Sequence, residues 1–151
     1  MTPIMDIHVL NALRLLQAGD ELKAKLSGEF SAIHGISVNE YFLLLHLDKA
    51  EKNRLARVEL AKRMHVSAST VTRMSAPLEK IGLVGREVDE RDARLSYVVL
   101  SAAGKTKLGE ARQTFAKRAG YAFQDRWSDT ELEQLSELLG RLVAGSVSKL
   151  S

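Results

Sequence analysis

Apolar residues in the first third of the chain recur at intervals of three and four, the spacing of one face of an α-helix. The positions are Ile4, Ile7, Leu10, Leu13, Leu22, Leu26, Phe30 and Ile33. Gly19 and Gly28 fall inside this pattern, and each weakens a helix by about 1 kcal/mol relative to alanine. We therefore expect a helix that ends near Gly35, with a bend or a break at either internal glycine left open.

A second helix is indicated shortly after Gly35. Ser37 and Glu40 have the spacing of a capping box, in which the serine hydroxyl and the glutamate carboxylate each accept from an unpaired amide of the first turn. The stretch from Phe42 to Leu47 is apolar on nearly every side. Because a helix of that kind must be covered, we expect other elements to pack around it.

The middle of the chain predicts two helices joined by a tight turn. Residues 48–57 are interpreted as a polar connection, and VELAKRM follows as a short amphipathic helix. The turn passes through His65 and Val66. The second helix, SASTVTRMSAPLEKIG, occupies residues 67–82 and has Ser67 as its N-cap.

A hairpin and two further helices complete the pattern. The β-prone runs 83–88 and 95–100 are separated by a charged loop of about six residues, which is typical of a hairpin. Ser101 begins a long helix, and Ser128 with Glu131 forms a second capping box. The last helix carries a narrow apolar seam typical of a coiled-coil contact: Leu132, Leu135, Leu139 and Leu142.

This order of elements predicts a mainly α-helical protein with one small β-hairpin. The first helix and the last two helices lie at opposite ends of the sequence, and each of them needs a partner surface. The simplest arrangement packs them together and against a second copy of the same chain.

The charge distribution changes the picture more than the net charge of +3 does. Residues 54–94 hold nine Lys and Arg against six Asp and Glu, so the whole excess lies in this segment. A localised basic segment suits a polyanion such as nucleic acid, although a charge of this size is more often just a solvated surface.

Composition excludes several other classes of protein. The chain has no cysteine, so disulfides, thiolate metal sites and thiol-based redox sensing are excluded. The four histidines stand singly, and no phosphate-binding loop, catalytic serine motif or metal-ligand spacing is present, so we expect no enzyme activity, no cofactor and no metal. The first residues do not have the pattern of a signal peptide and no apolar run spans a bilayer, so we expect a cytoplasmic protein.

The helix at residues 67–82 has one face suited to the major groove of DNA. Its inward arc consists of Val71, Met74, Leu78 and Ile81, and its outward face of Ser69, Thr72, Arg73, Ala76 and Lys80. Small hydroxylated residues allow a close backbone approach, and an arginine can bind guanine with two hydrogen bonds. An ordinary polar face of a surface helix is the alternative interpretation.

Four motifs in order resemble the winged helix-turn-helix of the MarR family of regulators. They are LAKRM-x-VS-x-STVTR, LEKIGLV, Asp-x-Arg-Asp-x-Arg at residues 89–94, and L-S-x-x-G at residues 100–104. The detailed match covers about a third of the chain, and the order of helices extends it over nearly all of it. Pro77 departs from a regular helix, because proline removes one amide and disfavours the helical carbonyl of Arg73, so the helix kinks or packing compensates.

The resemblance implies an obligate homodimer that binds a pseudo-palindromic operator in double-stranded DNA. Residues 36–101 would form the DNA-binding domain, and residues 1–35 and 102–151 the helical dimerisation region. The implied function is transcriptional regulation, as a repressor released by a small aromatic or phenolic ligand. The candidate DNA-binding residues are Ser67, Ser69, Thr70, Thr72, Arg73, Arg91, Asp92 and Arg94. The candidate ligand-binding residues are Arg14, His34, Tyr41 and His46, although each is also compatible with an ordinary structural role.

The acidic residues of the loop at 89–94 need an explanation, since they lie beside a surface expected to meet phosphates. We expect Asp92 to pair with Arg94 or Arg91 and to hold one guanidinium extended toward the minor groove. The competing hypothesis for the whole chain is a winged-helix module that binds another protein and does not recognise DNA.

Overall fold

The computed structural model describes residues 6–143 and arranges them as six α-helices, one short 3-10 helix (Glu51–Asn53) and three short strands. Ile4, which the helical pattern included, and the outer ends of the predicted dimerisation region lie outside the described residues. In chain order the elements are α1 (Ile7–His34), α2 (Val38–Lys49), β1 (Arg54–Ala56), α3 (Arg57–Met64), α4 (Ala68–Lys80), β2 (Val84–Val88), β3 (Ser96–Leu100), α5 (Ala102–Phe123) and α6 (Asp129–Leu142).

The predicted helix starts are confirmed by their hydrogen bonds. The capping box of α2 is complete, with the Ser37 amide donating to Glu40 Oε1 at 2.8 Å and the Glu40 amide donating to Ser37 Oγ at 3.0 Å. The box that begins α6 is also complete. Ser67 caps α4, because its hydroxyl accepts from the Thr70 amide at 3.1 Å. These local side-chain acceptors satisfy amides that a helix leaves free in its first turn.

The first helix is continuous over 28 residues, so neither Gly19 nor Gly28 breaks it. Its C-terminal half supplies Leu26 and Phe30 to the core, where α1 packs against α2 and α5. The helix ends at Gly35, which adopts the left-handed conformation with φ 67°. Burial of the second half therefore offsets the cost of the two internal glycines.

The sheet contains a strand that the sequence pattern did not predict. Residues 48–57 were interpreted as a polar connection, but Arg54–Ala56 forms β1 and pairs antiparallel with β3. The strand order is β1-β3-β2, with Leu55 opposite Val98 on one side and Arg86 opposite Val98 on the other. The hairpin itself is confirmed, with residues 89–95 as its loop. Strand β1 covers the edge of β3 that β2 leaves open, so the hairpin is anchored to the helical core.

The core is built around α2, as its apolar sequence predicted. Leu43, Leu44 and Leu47 are completely buried and are covered by elements from both ends of the chain. Leu60, Val71 and Leu78 join the same cluster from α3 and α4. Through this cluster the helices of the middle segment are held rigidly against α1 and α5.

The fourth helix continues through Pro77 as one element. Val71 and Leu78, which precede and follow Pro77 in the chain, are completely buried, and this packing compensates for the hydrogen bond that proline removes. Ile81, assigned to the inward arc by the sequence, instead follows the helix as its C-cap residue and is 58% exposed. The N-terminal turns that carry the hydroxyl residues precede the proline.

Among residues 6–143, none of the helices is both long and apolar enough to cross a membrane.

Candidate nucleic-acid interface

The polar face of α4 (Ser67, Ser69, Thr70, Thr72 and Arg73) is ordered by hydrogen bonds among its own side chains. Ser67 Oγ lies 3.0 Å from Ser69 Oγ and 2.9 Å from Thr70 Oγ1. Arg73 Nη2 donates to Thr70 Oγ1 at 3.2 Å. The Arg73 guanidinium is exposed and rests on a hydroxyl, so most of its donors point to solvent. The structure thus brings these five predicted residues onto one surface.

Arg57, the first residue of α3, lies beside this face and was absent from the sequence-based candidates. Its Nη1 donates to Thr72 Oγ1 at 2.9 Å, across the helix-turn-helix. The residue lies at the end of the segment that was interpreted as a connection. The only signal in the sequence was its positive charge within residues 54–94, which singles out no individual arginine.

The loop of the hairpin, residues 89–95, is folded by its own carboxylates and is called the wing tip below. Asp89 Oδ1 accepts from the amides of Arg91 at 2.8 Å and Asp92 at 3.0 Å. Asp89 Oδ2 accepts from the Tyr97 hydroxyl at 3.0 Å. The hydrogen bond from the Arg91 amide, followed by that from the Tyr97 phenol, lowers the pKa of Asp89, so its charged form is favoured. Asp89 therefore sets the conformation of the loop.

The predicted pairing of Asp92 is confirmed with Arg94. Asp92 Oδ1 accepts from the Arg94 amide at 3.0 Å and from Arg94 Nε at 3.1 Å. The side chain of Arg94 is nevertheless 91% exposed, so the pair holds the guanidinium at the surface without burying it. We propose that this pair positions Arg94 for DNA binding, and substitution of Asp92 tests the proposal.

Asp92→Ala is expected to weaken DNA binding about three- to tenfold, the equivalent of one lost hydrogen bond that positions a charged group. The substitution removes a negative charge, so net charge alone would predict tighter binding to DNA. Fluorescence anisotropy with labelled duplex DNA measures the change. Glu90→Ala is the matched control, since within the described residues Glu90 makes no hydrogen bond or ion pair, and its loss is expected to leave binding unchanged or slightly tighter. Tighter binding by Asp92→Ala would contradict the positioning role.

The base of the wing is held by an arginine of β1 that lies over an aromatic ring. The Arg54 guanidinium lies 4.6 Å from the centroid of the Tyr97 ring and donates to Glu87 Oε2 at 2.7 Å. Since Tyr97 in turn donates to Asp89, strand β1 is linked to the wing tip through Tyr97 of β3. This network joins the hairpin loop to all three strands of the sheet.

The four candidate ligand-binding residues are not brought together. His34 and Tyr41 lie in the core on either side of Phe30, and His34 Nε2 lies 2.7 Å from Thr114 Oγ1. Burial lowers the pKa of His34 and raises the pKa of Tyr41, so both are held neutral. Arg14 is exposed on α1. Their contacts give His34 and Tyr41 a structural role in this chain.

His46 differs from the other three, because it lines a cavity of about 370 Å³ beside the helix-turn-helix. Burial, and then the nearby charge of Arg63, lowers the pKa of His46, so the ring is neutral near pH 7. The cavity walls come from α1, α2, α3 and α4, together with the turn between the last two. Its lining combines cationic and apolar side chains: Lys23, Asn39, Phe42, His46, Arg63, Met64, His65, Val66, Thr70 and Met74.

The helix pair α3–α4, the three-stranded sheet and the extended hairpin loop together define a winged helix-turn-helix protein. The model of the MarR family matches residues 36–96, the segment that contains α3, α4, β1, β2 and the hairpin loop and that ends at the first residue of β3.

Relatives and solved structures agree with this match. The uncharacterised HTH-type transcriptional regulator YxaD of Bacillus subtilis is 33% identical over 104 residues, covering 69% of this chain and 71% of the relative. The HTH-type transcriptional repressor YetL of the same organism is 29% identical over 113 residues, with 75% and 67% covered. The crystal structure of Sco3205, a MarR family transcriptional regulator from Streptomyces coelicolor in complex with DNA, superposes with a TM-score of 0.79 at 24% identity, over 94% of this chain and 89% of that one.

The chain therefore belongs to the MarR family. It is accordingly a DNA-binding transcriptional regulator and not an enzyme.

Proposed function

We propose that the protein is a homodimeric repressor that binds a pseudo-palindromic operator and is released by a small ligand. The observation that carries the DNA-binding part is the pair of exposed arginines, Arg73 and Arg94, each held by a neighbouring side chain on α4 and on the wing tip. In this proposal α4 enters the major groove and Arg94 the adjacent minor groove, where the concentrated negative potential attracts a guanidinium. Ser67, Ser69 and Thr70 contact phosphates or bases, and Arg91 lies at the edge of the minor groove.

The proposed dimer is supported by apolar side chains that the single chain leaves uncovered. Leu13 and Leu16 on α1 are 51% and 69% exposed, and Leu138 and Leu142 on α6 are 54% and 63% exposed. Of the described residues of α6, none is buried, although the helix is strongly amphipathic. A second copy of the chain would cover these faces, with residues 1–35 and 102–151 as the dimerisation region and residues 36–101 as the DNA-binding domain.

The assignment as a repressor is supported by the name of one relative, the transcriptional repressor YetL. A two-fold dimer places two copies of α4 about one helical turn of DNA apart, so the operator should be an inverted repeat. Selection of binding sequences from a random duplex library by the purified full chain tests this expectation. Enrichment of an inverted repeat supports the proposal. Recovery of no enriched sequence would favour the protein-interaction module instead.

The cavity at His46 is the proposed site of the releasing ligand. Lys23 supplies positive charge, Arg63 adds a guanidinium that it shares with Glu59, and Phe42, with two methionines, supplies an apolar wall. This combination suits a small aromatic acid, whose carboxylate and ring need different neighbours. Since Lys23 belongs to α1 and Thr70 to α4, a ligand in this cavity contacts both the proposed dimerisation region and the DNA-binding helix. It would thereby change the separation of the two copies of α4.

Benzoate or 4-hydroxybenzoate is expected to raise the melting temperature of the protein and to release it from the selected operator. Thermal shift and fluorescence anisotropy measure the two effects. Lys23→Gln is expected to raise the ligand concentration needed for both effects about three- to fivefold, because it removes the charge that faces the carboxylate. Lys25→Gln, on the same helix but outside the lining of this cavity, is the matched control. Equal responses of the two variants would contradict the proposed site.

A further inference from the structure

Arg57 lies beside the polar face of α4, at the contact between the two helices of the helix-turn-helix. It belongs to α3, yet its guanidinium crosses to the middle of the polar face of α4 and donates to Thr72 Oγ1 at 2.9 Å. Both side chains are exposed. The contact therefore lies on the surface that the proposed function turns toward DNA, and it joins the two helices of the helix-turn-helix.

The hydroxyl of Thr72 is already committed on the protein side. It donates its proton to the Ala68 carbonyl at 3.1 Å and accepts from Arg57 at 2.9 Å. A threonine hydroxyl has a single proton, so Thr72 cannot also donate to a phosphate while these bonds last. Thr72, which the sequence suggested as a DNA contact, therefore holds the Arg57 guanidinium in place. The guanidinium is the group that remains available to DNA.

The guanidinium of Arg57 is otherwise free to bind a ligand. Three other arginines of the same domain are paired with glutamates: Arg54 at 2.7 Å, Arg63 at 3.0 Å and Arg86 at 3.1 Å. Within residues 6–143, Arg57 forms no such ion pair. Its one intramolecular bond is made by Nη1, so the remaining N–H donors of its planar fork are available. Arg73 is held in the same way, by one hydrogen bond from its guanidinium to the Thr70 hydroxyl.

We propose that Arg57 binds a phosphate of the DNA backbone at the rim of the groove that α4 enters, with Thr72 as its positioning residue. The proposal rests on the DNA-binding function argued above. A phosphate is favoured over a base because Arg57 approaches from α3, at the side of the reading helix, whereas bases are reached from α4 itself. A guanidinium also matches the geometry of phosphate oxygens with two parallel hydrogen bonds.

Arg57→Ala is expected to weaken binding to the selected operator and to random-sequence duplex DNA by a similar factor, about tenfold. The slope of log affinity against log salt concentration should fall by about one for each subunit that loses its phosphate contact. Arg57→Lys is expected to recover part of the affinity and of the slope, because it keeps the charge without the planar fork. Fluorescence anisotropy over a salt series measures all of these quantities.

The supporting role of Thr72 is tested by a double-mutant cycle. Thr72→Val keeps the shape of the side chain and removes its hydroxyl, so it should weaken binding in the wild-type background and have no further effect beside Arg57→Ala. A full additional loss in the Arg57→Ala background would contradict this role.

Arg126→Ala removes the same charge from an exposed residue outside the helix-turn-helix and serves as the control. An Arg57→Ala variant that matches Arg126→Ala would overturn the inference. A loss confined to the operator would also overturn it, since it would mean that Arg57 reads a base. These failures are distinct from failure of the proposed function, in which the wild-type protein itself shows no salt-dependent DNA binding.

Discussion

Gly104→Ala is expected to lower the free energy of unfolding by about 3 kcal/mol or more, one of the largest effects of any single substitution in the chain. Gly104 is buried in the first turn of α5, and an added Cβ would overlap the carbonyl oxygen of Leu83 and lie 2.6 Å from Leu100 Cδ1. The same carbonyl accepts from the Ser101 amide at 3.1 Å, which fixes the start of α5 against β2. The backbone must therefore separate to admit a methyl group. Thermal and denaturant unfolding of the purified variant measure the loss.

Gly109→Ala, in the same helix, is the matched control for this prediction. Gly109 is exposed, and an added Cβ there meets nothing within 4 Å. Alanine is a better helix former than glycine by about 1 kcal/mol, so this variant should be slightly more stable than the wild type. Equal stability of the two variants would contradict this prediction, because it would mean that the backbone at Leu83 leaves room for a methyl group at position 104.

The double substitution Arg73→Ala and Arg94→Ala is expected to weaken operator binding at least about thirtyfold, since each arginine contributes roughly 1–3 kcal/mol when it binds DNA directly. Both side chains are exposed, so the melting temperature should stay close to that of the wild type. Comparison of the two single variants on operator and on random duplex DNA separates the two positions. Loss of Arg73 should reduce the preference for the operator more than loss of a phosphate contact would.

The matched control removes two positive charges from α5 and the turn after it, with Lys117→Ala and Arg126→Ala. General electrostatic attraction predicts that this control weakens binding as much as the arginine pair does. The proposed function predicts a much smaller effect, because these residues lie outside the helix-turn-helix and the wing. Unchanged operator binding by the Arg73 and Arg94 variant would contradict the proposed contacts of these two arginines with DNA.

The helix boundaries were predictable because their signals are local. Ser37, Ser67 and Ser128 each cap a helix through a bond to an amide three residues later, and no distant contact is needed to form it. The burial of α2 was also predictable, since its apolar sequence leaves no side suited to water. Each of these features is decided within one turn or one helix.

The strand β1 and the role of Arg57 were not predictable in the same way. Arg54–Ala56 is only three residues long, and its strand conformation depends on pairing with residues 97–99, more than forty positions later. A short run without alternating pattern carries no local strand signal. Arg57 becomes noticeable only when α3 and α4 are packed and its guanidinium meets Thr72. Long-range pairing and side-chain approach are properties of the folded chain.

The wing tip lies between these two cases. The sequence predicted that Asp92 would pair with a nearby arginine, and the structure confirms Arg94 as the partner. The part played by Asp89 was not predicted, because its third hydrogen bond comes from Tyr97 on the opposite strand. The acidic residues thus fold the loop from within, and the net acidity of residues 89–94 follows from that task.

The central claim is that α4 and the wing present a pre-ordered set of cations to the DNA backbone and grooves. Its most direct test is the salt dependence of operator affinity, measured by anisotropy with the 151-residue chain and the selected duplex. A dimer that makes about six to ten phosphate contacts should show a log–log slope of roughly −5 to −9. The slope should become shallower in Arg57→Ala and remain unchanged in Arg126→Ala. A flat salt dependence, with no preference for the operator over random DNA, would contradict the account.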